Sequence, residues 1–440
     1  MTAPGDFPGA SPGASPGSAT DTAPGSAVAR AHQRAELLKF AEGSVTDRGF
    51  GWLDDRGGVT PGTATELWIT CRMTHSFALG VLAHEPAAVG GPSVERLRSL
   101  VDHGVRSLSG GPLEDPHHGG WFAAVNDDGS LNSAKQAYGH AFVVLAASSA
   151  VLAGAEGAPA LLERALSVSE QHFWDEEPGL SVEEWNREWM SLSEYRGLNA
   201  NMHTVEAYLA AGDATGNATW HLRAGRIAAR VLGWASANDW RIPEHFDTDW
   251  APVLQHNQHI PADPFRPFGA TVGHGLEWAR LFLAVEAALG EDAPTGLGAG
   301  AVSLYARAIS DGWNVDGTPG FVYTTDWDGE PVVRERMHWV LAEAIGAAHA
   351  LASATGESHY SGDANRWWDF AHSYLVDAQW GSWHHELDPG NQPASSVWVG
   401  KPDIYHAYQA ALWPDVPLIP SFAAALGAGV DLAPHVSRVA

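Results

Sequence analysis

An aromatic residue beside glycine, histidine or an acidic residue recurs along this chain at a nearly even step. It appears at Gly51-Trp52-Leu53-Asp54, Gly120-Trp121-Phe122, Glu184-Trp185, His245-Phe246-Asp247, Gly320-Phe321-Val322 and Trp383-His384-His385-Glu386. The steps between these aromatics are 69, 64, 61, 75 and 62 residues. Between them the chain is mostly helical in pattern. Apolar residues fall at helical spacing over 28–42, 64–82, 92–108, 132–154, 157–173, 199–213, 218–236, 272–288, 297–310, 333–354, 359–377 and 402–413. Alternating strand patterns are confined to short pieces such as Gly320–Thr324. A period of about 65 residues holds two helices and a long loop, and six such units make twelve helices. Open helical solenoids repeat at about 33–47 residues. The longer period predicts an all-α chain whose six helical hairpins close into an (α/α)6 barrel, with a cleft at one end lined by the loops.

Composition fits one large core. Apolar residues make up 45% of the 440 positions and charged residues 18%. The formal net charge of −27 disfavours nucleic acid and anionic membranes as partners. No apolar run reaches the roughly 18 residues that cross a bilayer. Residues 1–27 are rich in Pro, Gly, Ser and Ala and lack the features of a signal peptide; they read as a disordered tail. Residues 28–440 then form a single catalytic domain. The lone Cys71 lies beside an apolar helix face and reads as core. A chain with one cysteine and no signal peptide is expected in the cytoplasm. The 20 tryptophans fit either extra core mass or a carbohydrate cleft, where flat rings stack on sugar C–H faces. Monomer and homodimer both stay open.

Among 22 histidines, three sit near predicted helix starts in polar surroundings. They are His203 in Asn199-Ala-Asn-Met-His203-Thr-Val-Glu206, His274 in Gly273-His274-Gly-Leu-Glu277, and His406 in Lys401-Pro-Asp403-Ile-Tyr405-His406. His274 lies 71 residues after His203, and His406 lies 132 after His274, near one and two repeat units, so a barrel aims all three at one cavity. His274 and Glu277 stand at i, i+3 on one helix face, as do His203 and Glu206. A carboxylate there is expected to raise the imidazole pKa and fix its tautomer, which suits acid–base catalysis near neutrality. Trp68, Arg72 and His75 share another face, and Arg72 could fork onto sugar oxygens or stabilise a developing enediolate as readily as serve a structural ion pair.

Other chemistries are poorly supported. The two His-x-x-Glu pairs could ligate a metal, but there is no His-Glu-x-x-His, cysteine pair or dense acidic cluster, so no metal is expected. Gly9-Ala-Ser11-Pro-Gly13 lies in the tail, where no nucleophile elbow can form. Neither a Walker A loop nor a Gly-x-Gly-x-x-Gly is present. A two-carboxylate glycoside hydrolase on the same barrel stays open, with Asp54, Asp55, Asp127, Asp128, Asp326 and Asp328 as loop candidates. So does a carbohydrate-binding scaffold without catalysis.

Several longer motifs carry a resemblance. They are Phe265-Arg-Pro-Phe-Gly-Ala-Thr-Val-Gly-His274-Gly-Leu-Glu277-Trp-Ala-Arg280, Gly400-Lys-Pro-Asp-Ile-Tyr-His406-Ala-Tyr-Gln409, the His203 segment, and Arg334-Glu-Arg-Met-His338-Trp339. With them, residues 30–415 resemble the N-acylglucosamine 2-epimerase superfamily, and within it the branch of mannose isomerase and sulfoquinovose isomerase. The resemblance implies an (α/α)6 barrel binding a monosaccharide without metal or nucleotide cofactor. It implies that His406 shuttles a proton between C1 and C2, and that His274, assisted by Glu277, opens the pyranose ring. His203 and Arg72 would hold substrate oxygens and the enediolate, with Trp68, Tyr138, Asn199 and Trp339 lining the pocket. Epimerases that the chain resembles end the last motif in His-Asn-x-Arg, whereas Ala407 and Gln409 stand here, which favours an aldose–ketose isomerase over a 2-epimerase. Glu386, if it lines the pocket, repels a sulfonate by about 1–4 kcal/mol at 4 Å. That favours D-mannose and D-fructose over sulfoquinovose, although Arg266 could meet an anion.

Overall fold

Half of the helices have nothing to offer water. Leu67–Leu82 and Ala137–Leu152 are apolar or small on nearly every side, whereas Val94–Leu108 carries its charges on one face. The first kind must be enclosed and the second must lie outside them. The computed structural model, which describes residues 23–84, 89–418, 420–430 and 432, has this arrangement. In chain order the helices are α1 (Ala27–Ala41), α2 (Leu67–Leu82), α3 (Val94–Leu108), α4 (Ala137–Leu152), α5 (Ala158–Val168), α6 (Leu198–Thr215) and α7 (Ala218–Ala237). They continue as α8 (Val272–Leu289), α9 (Leu297–Gly312), α10 (His338–Thr355), α11 (Ser358–Phe370), α12 (Tyr405–Leu412) and α13 (Phe422–Gly427). The even-numbered helices α2 to α12 pack each on the next, and α12 returns to α2, closing an inner ring. The odd-numbered helices α1 to α11 form the outer ring, with α1 against α12. This is the (α/α)6 barrel.

The sequence repeat has a backbone cause. The N–H groups of Asp54, Asn126, Asn186, Asp247, Asp326 and Asp388 donate to the carbonyls of Gly58, Ser130, Ser191, Ala251, Glu330 and Gln392 at 2.8–3.1 Å, one such turn per unit. In four of them the aspartate side chain also accepts N–H groups two and four residues on. The carboxylates at 54, 55, 127, 128, 326 and 328 all belong to these turns, outside the central cavity, and this removes the candidate pair for a glycoside hydrolase.

Short antiparallel strands stitch neighbouring units together. The residues before each inner helix pair with the next unit's loop: Thr65–Glu66 with Ala124–Val125, Lys135–Gln136 with Glu184–Trp185, and Arg196–Gly197 with His245–Phe246. Ala270–Thr271 pairs with Thr324–Thr325, and Arg336–Met337 with Glu386–Leu387. The expected strand at Gly320–Thr324 therefore begins later, and Phe321 makes only a bridge to Trp313. At the sixth seam the Lys401 N–H donates to the Leu53 carbonyl at 3.0 Å and the Trp52 indole to Val399 at 2.8 Å.

Two boundaries differ from expectation. Residues 1–22 of the expected tail lie outside the described residues. Its last positions belong to the fold: the Ser26 hydroxyl caps α1 by accepting from the Ala29 N–H, and the Gly25 carbonyl accepts from Arg30. A thirteenth helix, α13, packs against α2, α4 and α6 at the barrel end away from the loops. Its single turn and a half is too short for a helical period to show.

Candidate active site

All six inner helices begin at the loop end, so their first turns converge on one cavity of about 680 Å³, its open mouth included. Trp68 and Arg72 come from α2, Tyr138 from α4, Asn199 and His203 from α6, His274 and Glu277 from α8, His338 and Trp339 from α10, and His406 from α12. Nine residues expected at a sugar site from the sequence thus meet here: Trp68, Arg72, Tyr138, Asn199, His203, His274, Glu277, Trp339 and His406. Loop residues complete the wall, among them Phe265, Tyr323, His385, Trp398 and Asp403. Cys71 is buried in α2 as core.

The imidazoles are oriented by partners that are remote in sequence. His406 Nδ1 lies 2.9 Å from Glu343 Oε1, and His274 Nδ1 lies 2.9 Å from Glu244 Oε1. In each pair the carboxylate oxygen accepts from the Nδ1 N–H, so Nε2 is the ring nitrogen left to exchange protons. The expected pairing of His274 with Glu277 is corrected by this geometry. Glu277 Oε1 instead accepts from Arg280 at 3.0 Å, and Glu277 Oε2 has no partner. Arg280 also donates to Glu343 at 2.5 Å, tying the carboxylate behind His406 to the one on the cavity floor. An i, i+3 spacing places two residues on one face; it does not make them touch when a third charge competes.

At His203, burial also reverses the expected rise in imidazole basicity. Burial first, then the positive charge of Arg72, holds His406 well below its ordinary value. His203 is pushed down to about 4, chiefly by burial, although Glu206 opposes this from 3.5 Å. Burial and the neighbouring Glu343 push Glu277 well above the usual carboxylate range. Burial works against ionising Glu206, yet His203, Arg280 and the Tyr405 hydroxyl overcome it and hold Glu206 below that range. The site therefore holds the His203 and His406 imidazoles toward the neutral form, the Glu277 carboxyl toward the protonated form and the Glu206 carboxylate toward the ionised form. His203, Glu206 and Glu277 bring donor atoms within 4.8 Å of one another. The Arg280 guanidinium on Glu277 already supplies positive charge to that cluster.

Arg72 is the one arginine or lysine among the described residues that line the cavity. It donates to Asp403 at 3.3 Å and Tyr138 at 3.0 Å, and its guanidinium lies 4.6–5.0 Å from the rings of Phe142, Tyr405 and Trp68. Trp339 stands between the two carboxylate-backed histidines, 5.2 Å from the His274 ring and 5.8 Å from that of His406. Gly273 permits this, because a Cβ there would meet the Trp339 ring at 2.3 Å.

Two expected site residues are elsewhere. Glu386 is buried at the seam behind the wall. Its oxygens accept from the backbone of Ser396, Val397 and Trp398 at 2.7–2.8 Å and from the Ser396 hydroxyl. It fixes the loop that carries Trp398 into the cavity and does not face a substrate, so it repels no sulfonate. Arg266 stacks on Tyr195 at 4.1 Å and lies 3.9 Å from Glu183, outside the lining. Glu244, Glu343, Arg280, His385 and Trp398 were not singled out from the sequence as site residues. Glu343 alone had a readable signal, standing one turn after Trp339 on the same inner face.

An (α/α)6 barrel whose inner helix starts form a histidine-lined, aromatic-walled cavity defines a class of sugar-converting proteins. The family described as N-acylglucosamine 2-epimerase (GlcNAc 2-epimerase) matches residues 49–410, and the chain belongs to it. It is 52% identical over 409 residues to a D-mannose isomerase of Thermobifida fusca, covering 90% of this chain and 98% of that one. It is 46% identical over 400 residues to a D-mannose isomerase of Pseudomonas cannabina pv. alisalensis, covering 90% and 94%. A crystal structure of a D-mannose isomerase superposes with a TM-score of 0.80 at 27% identity, covering 89% of this chain and 98% of that one.

Proposed function

We propose that the whole barrel acts as one catalytic domain, an aldose–ketose isomerase interconverting D-mannose and D-fructose through a cis-enediol. The observation that carries the reading is the pair of imidazoles, His406 and His274, each with its Nδ1 proton on a carboxylate and its Nε2 left free in one cavity. The mannose isomerases at 52% and 46% identity support the choice of sugar. The charge balance of the lining supports a neutral substrate, since Arg72 is matched by Asp403.

His274 exchanges a proton with the ring and anomeric oxygens to open the pyranose, with Glu244 holding the imidazole. His406 Nε2 then removes the C2 proton, and the electron pair moves through C1 onto the carbonyl oxygen. Arg72 and His203 stabilise the resulting enediolate. The same imidazolium returns the proton to C1 on the same face while the C2 hydroxyl proton passes to the C1 oxygen, giving the neutral ketose and restoring the neutral imidazole. A single base suffices because both carbons share one face of the cis-enediol. A neutral imidazole is needed at the outset, and burial of His406 provides it. No metal has a part in these steps. The expected place of work is the cytoplasm; among the described residues, no helix is long and apolar enough to cross a membrane.

Purified protein incubated with D-mannose in EDTA, with products resolved by chromatography, tests this reading. Fructose as the main product is expected. Glucose as the main product would make the chain a 2-epimerase, and no product would overturn the reading.

A further inference from the structure

One polar group in the cavity has no part in the proton transfers above. His338, at the start of α10, stacks on His385 with ring centroids 3.7 Å apart. Its Nδ1 lies 3.2 Å from the His385 carbonyl oxygen, which also accepts the His338 backbone N–H at 3.0 Å. His385 Nε2 lies 3.0 Å from the Asp403 carbonyl oxygen. A carbonyl can only accept, so His338 must carry its proton on Nδ1 and His385 on Nε2. His338 Nε2 is then a bare lone pair. It is buried, it has no protein partner, and its ring lines the cavity 6.2 Å from that of His406.

The contrast with His406 and His274 is chemical. Those two rings rest on carboxylates, which stabilise the imidazolium formed when a proton is taken. His338 rests on a neutral carbonyl with Arg72 nearby, and burial pushes it down to about 4. With a neutral carbonyl rather than a carboxylate on Nδ1, it is a fixed acceptor. A buried acceptor left empty costs about 1–3 kcal/mol, so the bound molecule is expected to satisfy it. Only a donor can do so.

We propose that His338 is a specificity-determining residue that accepts a hydrogen bond from a sugar hydroxyl beyond C2, so that the site requires a hydroxyl donor there. The stacked His385 and the Asp403 carbonyl hold the tautomer chain that makes this requirement rigid. This rests on the isomerase reading and names one basis of its selectivity. A deoxy sugar lacking the matched hydroxyl leaves the lone pair buried and empty, which corresponds to a roughly 10- to 100-fold loss in kcat/KM.

The test compares D-mannose with its 3-deoxy, 4-deoxy and 6-deoxy analogues on the wild-type enzyme, on His338→Leu and on His338→Gln. Wild type should lose about 10- to 100-fold in kcat/KM on one analogue of the three. His338→Leu should be impaired on mannose, mainly through KM, and should no longer distinguish mannose from that analogue. His338→Gln places a carbonyl oxygen near the position of Nε2 and should recover part of the discrimination. Wild type that converts mannose and all three analogues equally well overturns the proposal and leaves the isomerase intact. Discrimination unchanged in a folded His338→Leu also overturns it. Wild type that converts no mannose overturns the isomerase reading instead.

Discussion

At the scale of single residues, the reaction is built on imidazoles aimed by carboxylates, and burial keeps His406 toward its neutral form. His406→Ala should lower kcat for mannose by about 10²–10⁴-fold with far-ultraviolet circular dichroism unchanged. Full activity in that variant would remove His406 from its role. Because burial holds His406 well below 6.5, the base is present throughout the neutral range. Activity should therefore hold as pH falls to 6.5, with the acid limb of the kcat/KM profile lying below it. An acid limb centred at or above 6.5 would contradict a neutral base. Glu343→Gln keeps the hydrogen bond but weakens support for the imidazolium, so it should lower kcat more than it raises KM. The residues that touch substrate in this scheme were legible in the sequence, since histidines in register with a repeat point to one place. Their orienting partners were not. Glu244 lies 30 residues before His274 and Glu343 lies 63 before His406, and pairing across helices leaves no local pattern. The nearer candidate, Glu277, was already engaged by Arg280.

At the scale of elements, the inner helices could be read because enclosure demands apolar residues on every side. The loop carboxylates kept a hydrolase open in the sequence because a turn-forming aspartate and a catalytic one look alike there. Glu386 shows the cost of that ambiguity: it grips three consecutive backbone N–H groups and so fixes Trp398. Glu386→Ala should raise KM for mannose several-fold with a smaller change in kcat, because the wall loosens while the histidines stay in place. An unchanged KM would separate that loop from substrate binding. A second loop device recurs in two units. Lys135 Nζ reaches Asp115 at 3.1 Å and the Gly119 carbonyl at 2.9 Å; Lys401 Nζ reaches Asp377 at 2.6 Å and the Gly381 carbonyl at 2.9 Å. Both lysines are fully buried. Lys401→Met leaves Asp377 buried without its cation, which costs about 3–5 kcal/mol, whereas adding Asp377→Asn should recover part of the loss. Urea unfolding midpoints measure both, and a double variant no more stable than the single one would show that the uncompensated charge is not the cause.

At the scale of the whole molecule, the same burial that keeps the site neutral makes the fold sensitive to acid. His75, His203, His245, His338 and His349 are held at about 4 and His140 at about 3, while His385 and His406 also lie well below 6.5. Each is neutral in the fold and takes up a proton in the unfolded chain once pH drops below 6.5. Their contribution to stability is thus complete above 6.5 and is lost as pH falls toward 4. Three carboxyls act the other way. Burial pushes Glu66 and Glu183 up to about 7 and Glu277 well above the usual carboxylate range, so the fold keeps protons that the unfolded chain releases above about 4.5, and these groups favour the fold as pH falls from 7. Eight groups oppose three, and the balance favours the unfolded chain in acid. Each net proton changes stability by about 1.4 kcal/mol per pH unit. The thermal midpoint should rise slightly as pH falls from 8 to 7, as the buried carboxyls take up protons, and then fall steeply between 6.5 and 4, in one step for probes of the tryptophans and of the helices, because the histidines are distributed around the closed ring. His349→Leu removes one of these groups far from the cavity and should shallow the fall without altering turnover. A midpoint that stays flat to pH 4.5 would mean that these imidazoles are hydrated in the fold, and the neutral base assigned to His406 would then lose its physical cause.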